Sequence, residues 1–197
     1  MKKSVLFAAA LACVMFAGCA KKEVIINGIA DLEGKKIGVQ SGTTGDAWAQ
    51  SESKAASVAG FKSGIDAALD LKNGTLDAVV LDELPALEIV SRNSDLKIVR
   101  DPYFADNKEE YAIAVKKGND ELLAAINKTI TTMKDSGQYE ELVNAFMPVD
   151  GNIKIPAFKS EKTDGTVKLG TNAAFPPFEY VEGKNIVGFD ITMGEKI

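Results

Sequence analysis

The sequence predicts an α/β protein, with helices layered on a largely parallel sheet, and three observations carry that prediction. Short apolar runs alternate with stretches of helical periodicity along most of the chain. The joints between them carry Gly, Thr, Asn and Asp, residues that end strands and open helices. Of the 197 residues 46% are hydrophobic and 26% charged, a balance that supports a buried core and argues against a disordered or fibrous chain.

Residues 35–40 read as a strand after the turn at Glu33-Gly34, and Ser41-Gly42-Thr43-Thr44-Gly45 opens a helical stretch through Trp48. Ile65, Ala68, Leu69 and Leu71 fall at helical spacing and are stopped by Asn73-Gly74. The apolar run 78–81 reads as a buried strand, and Asp82 begins another step, with Pro85 suited to the first turn of a helix over 85–90. Residues 96–99 and 111–115 are further strand candidates. Asn119 is placed to cap a long amphipathic helix whose Leu122, Leu123, Ile126, Ile130 and Met133 share a face; Gly137 ends it, and a short helix follows over 139–146. Pro148, Gly151, Pro156 and Gly165 mark a linker. A strand at 166–171, an aromatic and proline-rich loop at 172–180 and a strand at 185–189 complete the reading.

Lys2 and Lys3 precede an uncharged run, Val5 to Phe16, that is shorter than the roughly 20 residues of a membrane-spanning helix. This pattern predicts a secretory signal over residues 1–18. Its ending, Phe16-Ala17-Gly18-Cys19, resembles the lipobox of bacterial lipoproteins, with Phe16 where Leu is usual, and implies Cys19 as the acylated first residue of the mature chain. Cys13 lies in the discarded run, so the mature chain has no second cysteine for an intramolecular disulfide. Loss of two lysines with the signal leaves 21 basic and 28 acidic residues, a net charge of −7. That sign opposes binding to phosphate backbones, so nucleic acid is not an expected partner. Histidine is absent, which excludes His-based triads, zinc sites and haem ligation. No metal or cofactor is expected.

Ligands of open α/β sheets sit beyond the carboxyl ends of strands, where loops feed helix N-termini. At Thr43 and Thr44, hydroxyls and free backbone N–H groups converge at a helix start and favour an anion such as a carboxylate, unless they serve only as a cap. Asp82 follows a buried strand and could hold a ligand ammonium, or cap the helix containing Pro85. Phe175 and Phe178 flank a Pro-Pro turn and offer a rigid aromatic face to a ligand's carbon skeleton or its cation; core packing is the other reading, preferred for Phe178.

Together these segments resemble the polar amino-acid family (family 3) of bacterial extracellular solute-binding proteins, the receptors of ABC importers. Lys168-Leu-Gly-Thr-Asn-Ala-Ala-Phe-Pro-Pro-Phe-Glu179 is similar to the family's opening strand and ligand loop, and Gly188-Phe-Asp-Ile191 to its signature. Residues 34–45, 71–82 and 111–118 are similar to its second lobe and hinge return, and residues 119–146 to its closing helices. The resemblance implies a periplasmic-binding-protein-like α/β fold in which two lobes trap a polar amino acid between them. By position it implies that Thr43 and Thr44 meet the α-carboxylate, Gln40 faces the side chain, Asp82 takes the α-amino group, Phe175 packs on the side chain, and Asn172 stands where relatives often carry Asp. It implies no catalysis, an ABC permease as partner, and a periplasmic or cell-surface location with a lipid anchor to the membrane.

The order of segments departs from the family. The second lobe comes first and the opening strand last, so the organisation reads as a signal (1–18), a tether (19–30), a second-lobe α/β domain (31–110), a hinge return with closing helices (111–147), a linker (148–165) and a truncated part of the first lobe (166–197). One nearly complete lobe and parts of another are expected. No segment matches the stretch that supplies the family's carboxylate-binding Arg, a loss expected to cost on the order of 2–5 kcal/mol of binding. Thr192 replaces the acidic residue usual in the signature. A rearranged or truncated product of tandem receptors is the favoured account; a circular permutant, or two copies forming a segment-swapped homodimer, are the others. Two further functions compete with the receptor: a dehydratase-like enzyme, which needs a carboxyl of raised pKa beside the pocket, and a sensor or scaffold module without transport.

Overall fold

The computed structural model describes residues 24–107, 109–148, 153–156 and 166–197. The predicted signal, Cys19 and much of the linker lie outside the described residues. A short 3₁₀ helix, Ile29–Leu32, leads into β1 (Lys36–Gln40), α1 (Thr44–Glu52), β2 (Ser57–Phe61), α2 (Gly64–Lys72), β3 (Ala78–Val80) and α3 (Glu83–Ser91). Then come α4 (Pro102–Asp106), α5 (Asp120–Asp135), α6 (Gln138–Phe146), β4 (Ala174–Phe175), β5 (Glu179–Glu182), β6 (Asn185–Val187) and α7 (Phe189–Gly194).

The first sheet is parallel, with β1 between β2 and β3. Strand alternation sorts the side chains of β1. Ile37 and Val39 are fully buried in a core with Leu32 and Ala49 of α1, while Gly38 and Gln40 face the other way, toward α2. Gly38 is required by that approach, because a Cβ there would meet the Leu76 side chain and lie 3.4 Å from the Ala67 Cβ. Helices α1 and α2 therefore cover opposite faces of the sheet.

The second sheet is an antiparallel meander, β4-β5-β6. It shares a core with the α5–α6 hairpin and α7, built on Met133, Leu142, Phe146, Phe178, Phe189 and Met193. Leu84 of α3 packs against the same core, which ties the two sheets together. Gly188 is the pivot between β6 and α7: its φ is 136°, and a Cβ there would run into the Phe178 carbonyl.

The helices expected through Trp48, over Ile65 to Leu71, at 85–90, between Asn119 and Gly137 and at 139–146 are present, with boundaries moved by a few residues. Asn119 occupies the N-cap position of α5 without a side-chain capping bond. The expected strands at 96–99, 111–115 and 166–171 are not strands, because none of the three pairs into a ladder with another described segment. Their apolar side chains stay in part exposed, 61% for Tyr111 and 61% for Val167. Strands β2, β4 and β5 and helix α4 form where no strand or helix was expected, β4 within the loop at 172–180.

Candidate functional site

Because β1 and β3 are neighbours and parallel, the loops that follow them lie side by side at the carboxyl edge of the sheet. The loop after β1 starts α1. Thr43 is its N-cap: its hydroxyl donates to the Gln40 carbonyl at 2.9 Å and accepts the Asp46 N–H at 3.2 Å. Asp46 in turn accepts the Gly42 N–H at 2.9 Å. The N–H groups of Thr44 and Gly45 have no acceptor among the described residues. Gly45 sits against β3, where a Cβ would lie 3.4 Å from Val80 Cγ1, so these two donors open beside the end of β3.

Asp82 follows β3 and is the N-cap residue of α3, yet its carboxylate makes no capping bond. An N-cap side chain normally accepts from the second or third helical N–H, and the third position here is Pro85, which has none. The carboxylate accepts the Tyr111 hydroxyl instead. Partial burial of that phenol and the charges of Asp82, Glu109 and Asp190 hold it protonated, far above the ordinary tyrosine range.

Tyr111 continues the connection into the aromatic loop. Its ring lies 4.7 Å from that of Phe178, which stacks on Phe175 at 5.9 Å and 22°. The loop contains a cis Pro176-Pro177 bond, and the Phe178 N–H donates to the Phe175 carbonyl at 3.0 Å. Asp82, Tyr111, Phe178 and Phe175 thus form one continuous path from the sheet edge to the loop. Phe178 is buried in the core and Phe175 half-buried at its margin.

The other candidates sit differently. Gln40 is buried, 4% exposed, and its side-chain oxygen accepts the Gly64 N–H at 3.1 Å, so it closes the N-terminus of α2. Asn172 is exposed, and its carbonyl accepts the Ala174 N–H at 2.6 Å; no hydrogen bond joins it to Asp82 or Thr43. Tyr111 was not among the sequence candidates. Its only signal was its place at the head of an apolar run behind Glu109-Glu110.

Glu179 of β5 is buried, and its carboxyl lies close to that of Asp190 in α7, an exposed residue. Burial, and then the charge of Asp190, push Glu179 up to about 7, and burial raises Asp190 as well. Glu179 Oε2 has no hydrogen-bond partner among the described residues. The neighbouring Tyr180 lines a cleft of about 370 Å³ between α2, α3 and the β4–β5 hairpin, and strand alternation turns Glu179 to the opposite face. The Glu179 carboxyl is therefore set in the core and not beside that cleft, whereas Asp190 is exposed and near enough to Tyr111 for its charge to act on that phenol. Lys72 and Arg92 at the cleft are held by Asp95 at 3.2 Å and by Glu88. Among the described residues no group of three or more Cys, Asp and Glu could hold a metal ion, and no helix is long and apolar enough to cross a membrane.

No protein-family model matches the chain. It is 32% identical over 120 residues to the L-cystine-binding protein TcyJ of Escherichia coli, covering 61% of this chain and 44% of that protein. It is 34% identical over 128 residues to the L-arginine-binding protein of Pseudomonas aeruginosa, covering 61% and 49%. Among solved structures it resembles an ancestral arginine-binding protein bound to glutamine, with a TM-score of 0.56, 39% identity and coverage of 60% and 52%. It also resembles a mutant of ArgBP from T. maritima, with a TM-score of 0.55, 37% identity and coverage of 64% and 53%. The chain spans about half the length of the curated relatives it matches. Its homologues are bacterial amino-acid-binding proteins of ABC transporters, transport proteins and not enzymes, and its fold is the α/β fold of their lobes.

Proposed function

We propose that this chain, whose homologues are amino-acid-binding proteins of ABC transporters, binds a polar amino acid at the carboxyl edge of its parallel sheet for delivery to an ABC permease. One observation carries the reading: the N–H groups of Thr44 and Gly45, without an acceptor among the described residues, lie at the same sheet edge as the Asp82 carboxylate, which makes no capping bond. The first is complementary to an α-carboxylate and the second to an α-ammonium, the two charges every amino acid presents. Phe175 supplies an aromatic surface for the ligand side chain, with Asn172 at the loop that carries it, and Gln40 acts by holding the α2 N-terminus in place.

Both arginines are committed to ion pairs, Arg92 with Glu88 and Arg100 with Glu83 at 2.7 Å. Among the described residues the α-carboxylate is offered the N–H groups and the Thr44 hydroxyl. The signal pattern and Cys19 support export with a lipid anchor at the bacterial membrane. The segments 111–115 and 166–170, which have no ladder partner among the described residues and expose Tyr111, Ile113, Val167 and Leu169, are the ones that two copies would exchange in a segment-swapped dimer.

Calorimetric titration of the purified protein with the standard amino acids tests this reading. Binding without turnover, abolished in Asp82→Asn, is the expected result. Consumption of the ligand would favour the enzyme, and a folded protein silent to every amino acid the sensor or scaffold.

A further inference from the structure

We infer that Tyr111 is a positioning residue that turns the Asp82 carboxylate out of its helix-capping rotamer and presents it to the amino group of the ligand. The inference rests on the proposed binding reading and concerns the same site. An aspartate at an N-cap position normally folds inward onto the first-turn N–H groups. Here Pro85 removes the third-position donor, and the Leu84 N–H is left without an acceptor among the described residues. A carboxylate so near an unpaired N–H turns toward it unless something else holds it. The Tyr111 hydroxyl donates to Oδ2, and Oδ1 has no other partner among the described residues. The tyrosine is itself anchored, because its ring lies 4.7 Å from Phe178, a side chain in the core. Position 111 lies 29 residues beyond Asp82 and outside its helix, so the orientation of the carboxylate depends on how segment 111–115 docks against the aromatic loop. Oδ1 is then the acceptor offered to a ligand ammonium.

The test compares the unaltered protein with Tyr111→Phe, which keeps the ring on Phe178 and removes only the hydroxyl. L-arginine and L-glutamine are titrated beside their desamino analogues, δ-guanidinovaleric acid and glutaramic acid. Tyr111→Phe is expected to weaken both amino acids about tenfold, the scale of one charge-assisted hydrogen bond, and to leave any binding of the analogues unchanged. Unchanged or tighter amino-acid binding would overturn the inference, and so would an equal loss for the analogues, since that would show a general effect on the fold.

A second measurement needs no ligand and separates this inference from the binding reading. In the Tyr111→Phe protein the carboxylate is expected to swing onto the Leu84 N–H, shifting that amide downfield and slowing its exchange severalfold, with a matching change at the Asp82 carboxyl carbon. If neither amide nor carboxyl signal moves, Tyr111 does not orient Asp82. If they move but no amino acid binds the unaltered protein, the positioning stands and the binding reading fails.

Discussion

The side-chain oxygen of Gln40 accepts the backbone N–H of Gly64 at 3.1 Å, joining the last residue of β1 to the first residue of α2 across a buried contact. The bond satisfies one of the orphan donors of α2, beside the Ser63 hydroxyl that accepts the Asp66 N–H. Gln40→Leu leaves the buried Gly64 N–H unpaired and is expected to cost about 1–3 kcal/mol. Urea unfolding checks it: a lower midpoint at unchanged slope supports the assignment, and an unshifted midpoint contradicts it.

Thr43 fixes the loop that carries the two free N–H groups. Thr43→Ala removes the cap on Asp46 and the bond to the Gln40 carbonyl, with an expected loss of about 1 kcal/mol. Thr43→Ser restores most of it, because it keeps the hydroxyl. Thermal melting of the two variants side by side reads the difference.

The Glu179–Asp190 pair makes stability depend on pH in a defined direction. Both groups are raised in the folded state, Glu179 from 4.5 to about 7, so the folded chain holds protons that the unfolded chain releases. The stabilising contribution of the buried Glu179 is therefore complete below its unfolded value and is lost as pH rises through about 7, by on the order of 1–3 kcal/mol. Glu179→Gln, neutral at every pH, is expected to flatten that slope. Unfolding midpoints that rise between pH 5 and pH 8 in the unaltered protein, and equally in the variant, would contradict the assignment.

Gly188→Ala tests the pivot between β6 and α7. With φ at 136° and the Phe178 carbonyl in the way, the substitution forces the backbone to move and is expected to cost about 2–4 kcal/mol, more than an ordinary helix-end substitution. A loss below 0.5 kcal/mol in urea unfolding would show that the turn is not constrained as described.

The parts of the fold legible in the sequence were those with a local signal. Helix α2 had apolar spacing and an Asn-Gly stop, and α5 had an apolar face ended by Gly137. Helix α4 carried a signal too, Asp101-Pro102 as cap and first residue, but its five residues gave no periodicity to read. Strand β2 has Gly and Ala in place of alternating β-branched residues, and it exists because β1 offers it a full parallel register. Conversely, 111–115 and 166–171 have strand-like sequence and no ladder partner among the described residues, so propensity alone did not decide their state. At the site, Thr43 and Asp82 could be located because each follows a recognisable strand. That Gln40 turns inward to α2 depends on which face of β1 meets which helix, and that Asp82 bonds Tyr111 is a contact across 29 positions. Neither relationship has a local pattern.

The central claim is amino-acid binding at the carboxyl edge of the parallel sheet, and amide chemical-shift mapping of isotope-labelled protein during titration with L-arginine and L-glutamine tests it most directly. The account predicts saturable shifts at Thr43, Thr44, Gly45 and Asp82, with the Phe175 ring responding, and loss of those shifts in Asp82→Asn. Shifts confined to the cleft lined by Ile65, Leu69, Ile89 and Tyr180, or no shifts with either amino acid, would contradict it.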